Sequence, residues 1–95
     1  MINETQFERN PDFIYRRIVD ESVLVPIHRD VANMDSIYTL NGVGATIWER
    51  LAEPASLKEL QQAVLDEYDA APELVNADVT QFLDEMVSIN AIREV

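Results

Sequence analysis

Cysteine is absent from this chain of 95 residues, which excludes a disulfide framework and thiolate chemistry. His28 is the only histidine, so a metal site with two histidine ligands is also excluded. No apolar run approaches the ~20 residues of a membrane helix, and the N-terminus lacks the basic and then apolar layout of a signal peptide. These absences are compatible with a cytoplasmic protein, and we expect one that has no membrane association.

Positive charge is scarce, because 7 Lys and Arg residues stand against 18 Asp and Glu residues, for a net charge of −11. A nucleic-acid-binding protein needs a cationic surface that displaces counterions, so the composition argues against nucleic acid as a partner. Two interpretations of the acidic surface stay open. It serves solubility alone, or it selects a cationic partner.

The residue types that carry catalysis lack the spacing that a catalytic motif requires. Ser36, Ser56 and Ser88 do not stand at a recognisable motif spacing from the single histidine. Gly42 and Gly44 lack the Lys and further glycines of a phosphate-binding loop, and the acidic residues late in the chain lack the oxygen spacing of a calcium-binding loop. The sequence therefore predicts a protein that is not an enzyme, with no catalytic residue, metal or cofactor.

Three segments rich in β-branched and aromatic residues predict strands, and three segments with apolar residues at helical spacing predict helices. In chain order these are strands at Phe13–Val19, Ser22–Ile27 and Ser36–Leu40, then helices at Asn41–Ala52, from Ser56, and at Pro72–Asn90. The order βββααα predicts an α+β domain over residues 1–95, with a three-stranded antiparallel sheet followed by three helices. The polar residues 1–12 are expected to form a loose lead-in.

Local signals indicate where the helices begin and which of them anchors the core. Asn41 offers a side-chain oxygen that caps the first helix, and Ser56 with Glu59 forms a capping box for the second. Trp48, the only tryptophan, lies on the apolar face of the first helix and is expected in the core. Gly44, in the first turn of that helix, predicts close approach of another backbone.

A small sheet has unpaired edges, and an edge strand offers N–H and C=O groups to a partner in extended conformation. We expect Ser36–Leu40 to be such a strand, with an apolar groove between it and a neighbouring helix. The alternative is an edge covered by the N-terminal segment or by a second copy of the chain. A winged helix-turn-helix that binds DNA is disfavoured, because the third helix contains no Lys or Arg.

A long pattern of residues between about Phe13 and Ile92 resembles the PqqD-like family. It comprises Ser36-Ile37-Tyr38-Thr39-Leu40-Asn41, Gly44, Ile47, Trp48 and Leu51, and later Tyr68, Val75, Asp78, Val79, Phe82, Leu83 and Met86. The chain departs from the family at Gly42, where an acidic residue is frequent, and at Asn90-Ala91, where a glycine is common. The second departure is expected to affect how the last helix ends.

The resemblance implies a winged-helix-like domain that recognises ribosomally made precursor peptides. The leader segment of the precursor would add as a strand beside Ser36–Leu40 and lie against the third helix. The domain would then present the peptide to a modifying enzyme, often a radical S-adenosylmethionine (SAM) enzyme, as in pyrroloquinoline quinone (PQQ) biosynthesis.

We therefore predict a non-catalytic peptide-binding adaptor. Its predicted binding residues are Ser36, Ile37, Tyr38, Thr39 and Leu40 through their backbone groups, and Asp78, Phe82, Glu85 and Ile89 through their side chains. The two acids would pair with basic leader residues, and the two apolar side chains would receive apolar ones. The alternative is an oligomerising structural subunit, such as a homodimer, that pairs through the same edge.

Overall fold

The computed structural model describes residues 5–19, 21–27 and 37–95, and it confirms the α+β class. The elements in chain order are β1 Gln6–Arg9, β2 Phe13–Ile18, β3 Glu21–Pro26, β4 Tyr38–Leu40, α1 Gly42–Arg50, β5 Ala55–Ser56, α2 Leu57–Glu67, α3 Pro72–Ser88 and β6 Ile92–Glu94. The predicted three-stranded antiparallel sheet followed by three helices is present as β2, β3, β4, α1, α2 and α3. Three further short strands, β1, β5 and β6, form a second sheet.

The predicted sheet has the order β2-β3-β4, with β3 in the middle and antiparallel to both neighbours. Leu24 in β3 lies opposite Tyr15 in β2 and Tyr38 in β4. Side chains alternate between the two faces of a strand, so these three residues share one face. Leu24 is fully buried and the two tyrosines pack against the same core, so this face meets the helices.

The prediction of a loose lead-in over residues 1–12 is wrong for Gln6–Arg9. This segment forms β1, which pairs antiparallel with both β5 and β6 in a second small sheet of order β5-β1-β6. The Arg9 side chain fastens it to α1, since its Nε donates a 2.8 Å hydrogen bond to the carbonyl oxygen of Trp48. Sequence polarity missed the strand because both pairing partners are distant along the chain.

The helices begin where the capping residues predicted. The Asn41 side chain accepts a 2.8 Å hydrogen bond from the Gly44 N–H. Ser56 and Glu59 form the reciprocal capping box of α2, each side chain accepting from the other residue's backbone N–H.

The end of α3 shows how Asn90 can replace the glycine that is common in the family at this position. Asn90 adopts a left-handed backbone with φ of 69°. The Ala91 N–H donates to the Met86 carbonyl at 2.8 Å, and the Asn90 N–H donates to the Val87 carbonyl at 3.0 Å. These two bonds form the Schellman motif that glycine usually closes, and asparagine tolerates the same backbone. The helix therefore ends as it would with glycine.

The core lies between the β2-β3-β4 sheet and the three helices, with Trp48 at 1% exposure. The fully buried positions include Ile47 from α1, Leu60 from α2 and Val79 from α3. Each helix thus turns one apolar stripe inward, as its sequence periodicity predicted. None of the helices in the described ranges combines the length and apolar composition that crossing a membrane would require.

Candidate peptide-binding site

β4 lies at one edge of its sheet, with β3 on one side. Within residues 5–19, 21–27 and 37–95, no strand pairs with the other side of β4. In an antiparallel strand, alternate residues direct their N–H and C=O groups to opposite sides, so part of the β4 backbone faces away from β3 and is paired by no strand of the described ranges. Tyr38 is half-buried, Thr39 is exposed and Leu40 is buried, as expected for a strand with one covered face.

The strand portion of the predicted site is only partly described. Ser36 lies outside the described residues. Ile37 precedes β4 and is 60% exposed. Tyr38, Thr39 and Leu40 form the strand itself, so the described edge is shorter than the predicted one.

The helical portion of the predicted site lies along one flank of α3. Asp78, Phe82, Glu85 and Ile89 follow one another at spacings of four, three and four residues, which keeps them on one side of a helix. Phe82 and Ile89 are half-buried and pack against the core, and Ile89 is the residue that caps the C-terminus of α3. Asp78 and Glu85 are exposed.

Two contacts place α3 against the helix that follows β4 and near the start of β2. A Cβ atom on Gly44 would lie 2.7 Å from the ring of Phe82, so α3 touches the first turn of α1, just after β4. At the C-terminal end, the Asn10 side chain donates a 2.7 Å hydrogen bond to the Asn90 carbonyl. Asn10 leads into β2, where the Phe13 ring lies 6.5 Å from that of Tyr38.

The contact at Gly44 also corrects a prediction. Glycine at this position was expected to allow another backbone to approach, whereas the neighbour is the aromatic side chain of Phe82. Gly42 has a similar explanation, because a Cβ there would lie 2.5 Å from the hydroxyl oxygen of Tyr68. Tyr68 thus occupies the space in which a longer side chain would stand. Tyr68 follows α2 as its C-terminal cap, and sequence periodicity contained no signal for this contact.

A polar cleft of about 270 Å³ opens beside the end of β4. Its lining includes Leu40 and Gly42 from the strand end, with Arg17, Glu49 and Tyr68 around them. The cleft borders the candidate edge without belonging to the predicted groove wall. Across the described part of the chain, no group of three His, Asp or Glu side chains converges closely enough to hold a metal ion.

The charge distribution makes the α3 flank anionic. Pro72–Ser88 contains four acidic residues and no Lys or Arg. Two of the arginines elsewhere are engaged with acids of the same chain, Arg50 with Glu59 at 3.8 Å and Arg93 with Glu8 at 2.7 Å. A ligand beside α3 therefore meets carboxylates on a helix without compensating cations.

Comparison with known proteins decides the family. A family model described as "Coenzyme PQQ synthesis protein D (PqqD)" matches residues 21–92, most of the chain. The chain belongs to the PqqD family. No curated protein matches this PqqD-family chain.

One solved structure similar to this PqqD-family chain is described as "TbiB1 in Complex with the TbiA(beta) Leader Peptide". The similarity has a TM-score of 0.73 at 23% sequence identity, and it covers 90% of this chain and 94% of that chain. At this identity the comparison establishes the shared fold, which confirms the fold expected from the sequence. Residues 21–92, which the family model matches, contain β3, β4 and all three helices. The candidate edge and the α3 flank therefore both lie within the family region.

Proposed function

We propose that this PqqD-family chain is a non-catalytic adaptor that binds the leader of a ribosomally made precursor peptide. The observation that supports the proposal is the edge of β4 that no described strand pairs, followed directly by α1, whose first turn meets the Phe82 flank of α3. That flank carries the half-buried Phe82 and Ile89 and the exposed Asp78 and Glu85. Family membership supports it. So does the fold that the chain shares with TbiB1, a protein whose structure contains a leader peptide.

The leader would add to β4 as a further strand. Main-chain hydrogen bonds would set its register, each with a net value of about 1 kcal/mol. Three described strand residues offer few such bonds, so side-chain contacts must supply much of the affinity. Alternate leader side chains would point inward, where Tyr38, Phe82 and Ile89 offer apolar surface.

The acidic residues on the rim would add selectivity for charge. Asp78 and Glu85 are exposed on the same flank, so both can reach basic side chains of a leader. Exposed pairs of this kind contribute little individually, roughly 0.2–1 kcal/mol, and are weakened by salt. Their main effect would be to favour basic leaders over acidic ones and to speed association.

Once bound, the leader would be held in one extended conformation and presented to a modifying enzyme. A radical SAM enzyme is the partner class that the family resemblance implies, as in PQQ biosynthesis. The chain itself would contribute binding and orientation without taking part in the reaction.

The proposal is tested by titrating isotope-labelled chain with the leader of the precursor encoded beside it and following amide shifts. We expect the shifts to concentrate on β4 and on the Phe82 flank of α3. Shifts concentrated on β2, the other edge of the sheet, would contradict the proposal. So would tight dimerisation through β4 without peptide, measured by light scattering, which would favour the structural-subunit alternative.

A pair of charge reversals on α3 isolates the groove wall. Glu85→Lys should weaken binding of a basic leader roughly five- to tenfold. Asp84→Lys is the matched control, because Asp84 is also exposed but lines a different cleft, with Phe7 and Leu57. We expect the control to change the affinity less than twofold, and equal effects of the two variants would argue against an ordered groove.

A further inference from the structure

Leu74 lies near the start of α3 and is the most exposed large apolar residue on the described helices, at 65% exposure. It neither belongs to the core cluster nor packs against it. It stands four residues before Asp78, so helical spacing puts it on the flank that carries Asp78 and Phe82. A single exposed leucine is ordinary on a protein surface. This one, however, continues the series of candidate binding residues by a further helical turn.

The course of α3 relative to β4 determines what Leu74 can meet. Phe82 contacts the first turn of α1, just after the end of β4, and the Asn90 carbonyl accepts a hydrogen bond from Asn10, just before β2 begins. Because β2 and β4 are both antiparallel to β3, their first residues lie at the same end of the sheet. Between Phe82 and Asn90, α3 therefore runs from the end of β4 toward that end of the sheet. Its N-terminal half, with Asp78 and Leu74, continues past the end of β4.

A leader paired with β4 would leave the sheet where α1 begins, at Gly42. Beyond that point no edge strand remains, and the side chains of α3 are what can hold an extended segment. Along the helix, Leu74, Asp78 and Phe82 each stand about 6 Å from the next, at a rise of about 1.5 Å per residue. Side chains on one side of an extended peptide recur about every 6.7 Å. Successive same-side residues of the leader can therefore meet Phe82, Asp78 and Leu74 in turn.

The middle position of this series is anionic. Asp78 is exposed, and neither of the two ion pairs within the described ranges involves it. α3 also contains no Lys or Arg that would neutralise this carboxylate from the same helix. A basic leader side chain fits this position, and apolar side chains fit on either side of it, at Phe82 and at Leu74.

We propose that the leader carries an apolar, a basic and a second apolar residue at alternate positions, and that Leu74 binds the outermost of the three. The inference rests on the proposed function, because it takes the occupant of α3 to be the leader bound at β4. The pattern is the same in both directions, so it holds whichever way the leader runs along β4. Two copies of the chain joined through this flank would instead bring their Asp78 and Glu85 carboxylates together, without a Lys or Arg on either α3.

The test measures binding of the leader of the precursor encoded beside this chain, by calorimetry. Leu74→Asp should weaken binding about five- to tenfold, because it replaces an apolar contact with a charge. Leu74→Met keeps an apolar side chain and should bind within about twofold of wild type. Val87→Asp is the matched control on the same helix, because Val87 lines a different cleft, with Phe7 and Leu57, and it should change binding less than about twofold.

Variants of the leader locate the facing residues. The apolar leader position whose replacement by alanine weakens binding to wild type, but not to Leu74→Ala, is the one that contacts Leu74. Asp78→Lys should weaken binding of the natural leader about fivefold. A leader in which the facing basic residue is replaced by glutamate should recover most of that loss in Asp78→Lys.

The outcomes separate the two proposals. If wild type fails to bind the leader, the adaptor function fails and the proposed pattern fails with it. If wild type binds the leader but Leu74→Asp binds it equally well, or the leader lacks the alternating pattern, the pattern is overturned and the adaptor function stands. If wild type without peptide self-associates in light scattering and Leu74→Asp does not, Leu74 serves a homodimer and the pattern is likewise overturned.

Discussion

Replacing Arg9 with methionine tests whether the N-terminal strand is part of the folded domain. Nε of Arg9 donates to the Trp48 carbonyl at 2.8 Å, and Nη2 donates to the carbonyls of Trp48 and Glu49. These carbonyls lie at the C-terminus of α1, where the helix dipole favours a cation. The guanidinium also lies 5.3 Å from the centre of the Trp48 ring. Methionine retains the apolar stem and removes all three interactions.

The expected cost follows from these contacts. A hydrogen bond from a charged donor contributes roughly 1.5–3 kcal/mol, and the helix dipole and the cation–π contact each add up to about 1 kcal/mol. Against this stands partial desolvation of the guanidinium, which lowers the pKa of Arg9, although Glu49 and Tyr15 oppose that shift. The carbonyls left behind in Arg9→Met can also take up water. We therefore expect a net loss of about 2 kcal/mol in the free energy of unfolding, and a fall of roughly 10 °C in Tm.

The measurement is urea and thermal unfolding followed by circular dichroism, which does not depend on Trp48 fluorescence. Arg16→Met is the matched control, because Arg16 is exposed on β2 and its replacement should change stability by less than about 0.5 kcal/mol. Arg9→Lys should fall between wild type and Arg9→Met, since it keeps the charge and loses the forked geometry. If Arg9→Met matched the control, β1 would not be fastened to α1 and the account of the second sheet would be refuted.

Three further predictions concern backbone and capping positions. Gly44→Ala should lower the free energy of unfolding by about 1–3 kcal/mol, because its Cβ would meet the Phe82 ring. Gly42→Ala should lower it far less, because its Cβ would meet the hydroxyl end of the movable Tyr68 side chain. Urea unfolding of both variants measures the difference. The backbone hydrogen bond from Ser56 lowers the pKa of Glu59. The stabilisation by the ionised Glu59 is therefore full above the ordinary carboxyl pKa and is lost as the pH falls through the lower pKa of the folded state. The Tm difference between wild type and Glu59→Gln should thus be present at pH 7 and shrink as the pH is lowered below the ordinary carboxyl pKa. Asn90→Ala should lower the free energy of unfolding by about 1 kcal/mol, because φ is positive at this position, and Asn90→Gly should not lower it. A loss of equal size in both variants would show that the left-handed backbone is not the reason for asparagine here.

Much of the fold was predictable because its signals are local. The capping box of Ser56 and Glu59, the cap at Asn41 and the apolar stripes of the helices each depend on residues within a few positions of one another. The β2-β3 hairpin is equally local, with Ile18 opposite Glu21 across the turn. Such patterns act through short-range geometry and remain legible without knowledge of the rest of the chain.

The candidate site was predictable only as a set of residues. Helical spacing grouped Phe82 and Ile89 with Asp78 and Glu85 on one flank, but it did not show which way that flank faces. Its orientation follows from the contact between Phe82 and the first turn of α1, two segments that are far apart in sequence. Periodicity defines faces of a helix, and packing alone decides which neighbour each face meets.

The sequence by itself determined the α+β class, the order of the main elements, the helix starts and the acidic character of α3. Tertiary structure decided that Gln6–Arg9 is a strand, because its partners, Ala55–Ser56 and Ile92–Glu94, are short and distant segments with little strand signal of their own. It also decided that Ile14 and Ile18 of β2 are exposed, whereas Tyr15 of the same strand packs against the core. Hydrogen bonds and burial between distant segments depend on the whole chain being folded, and local sequence patterns do not contain that information.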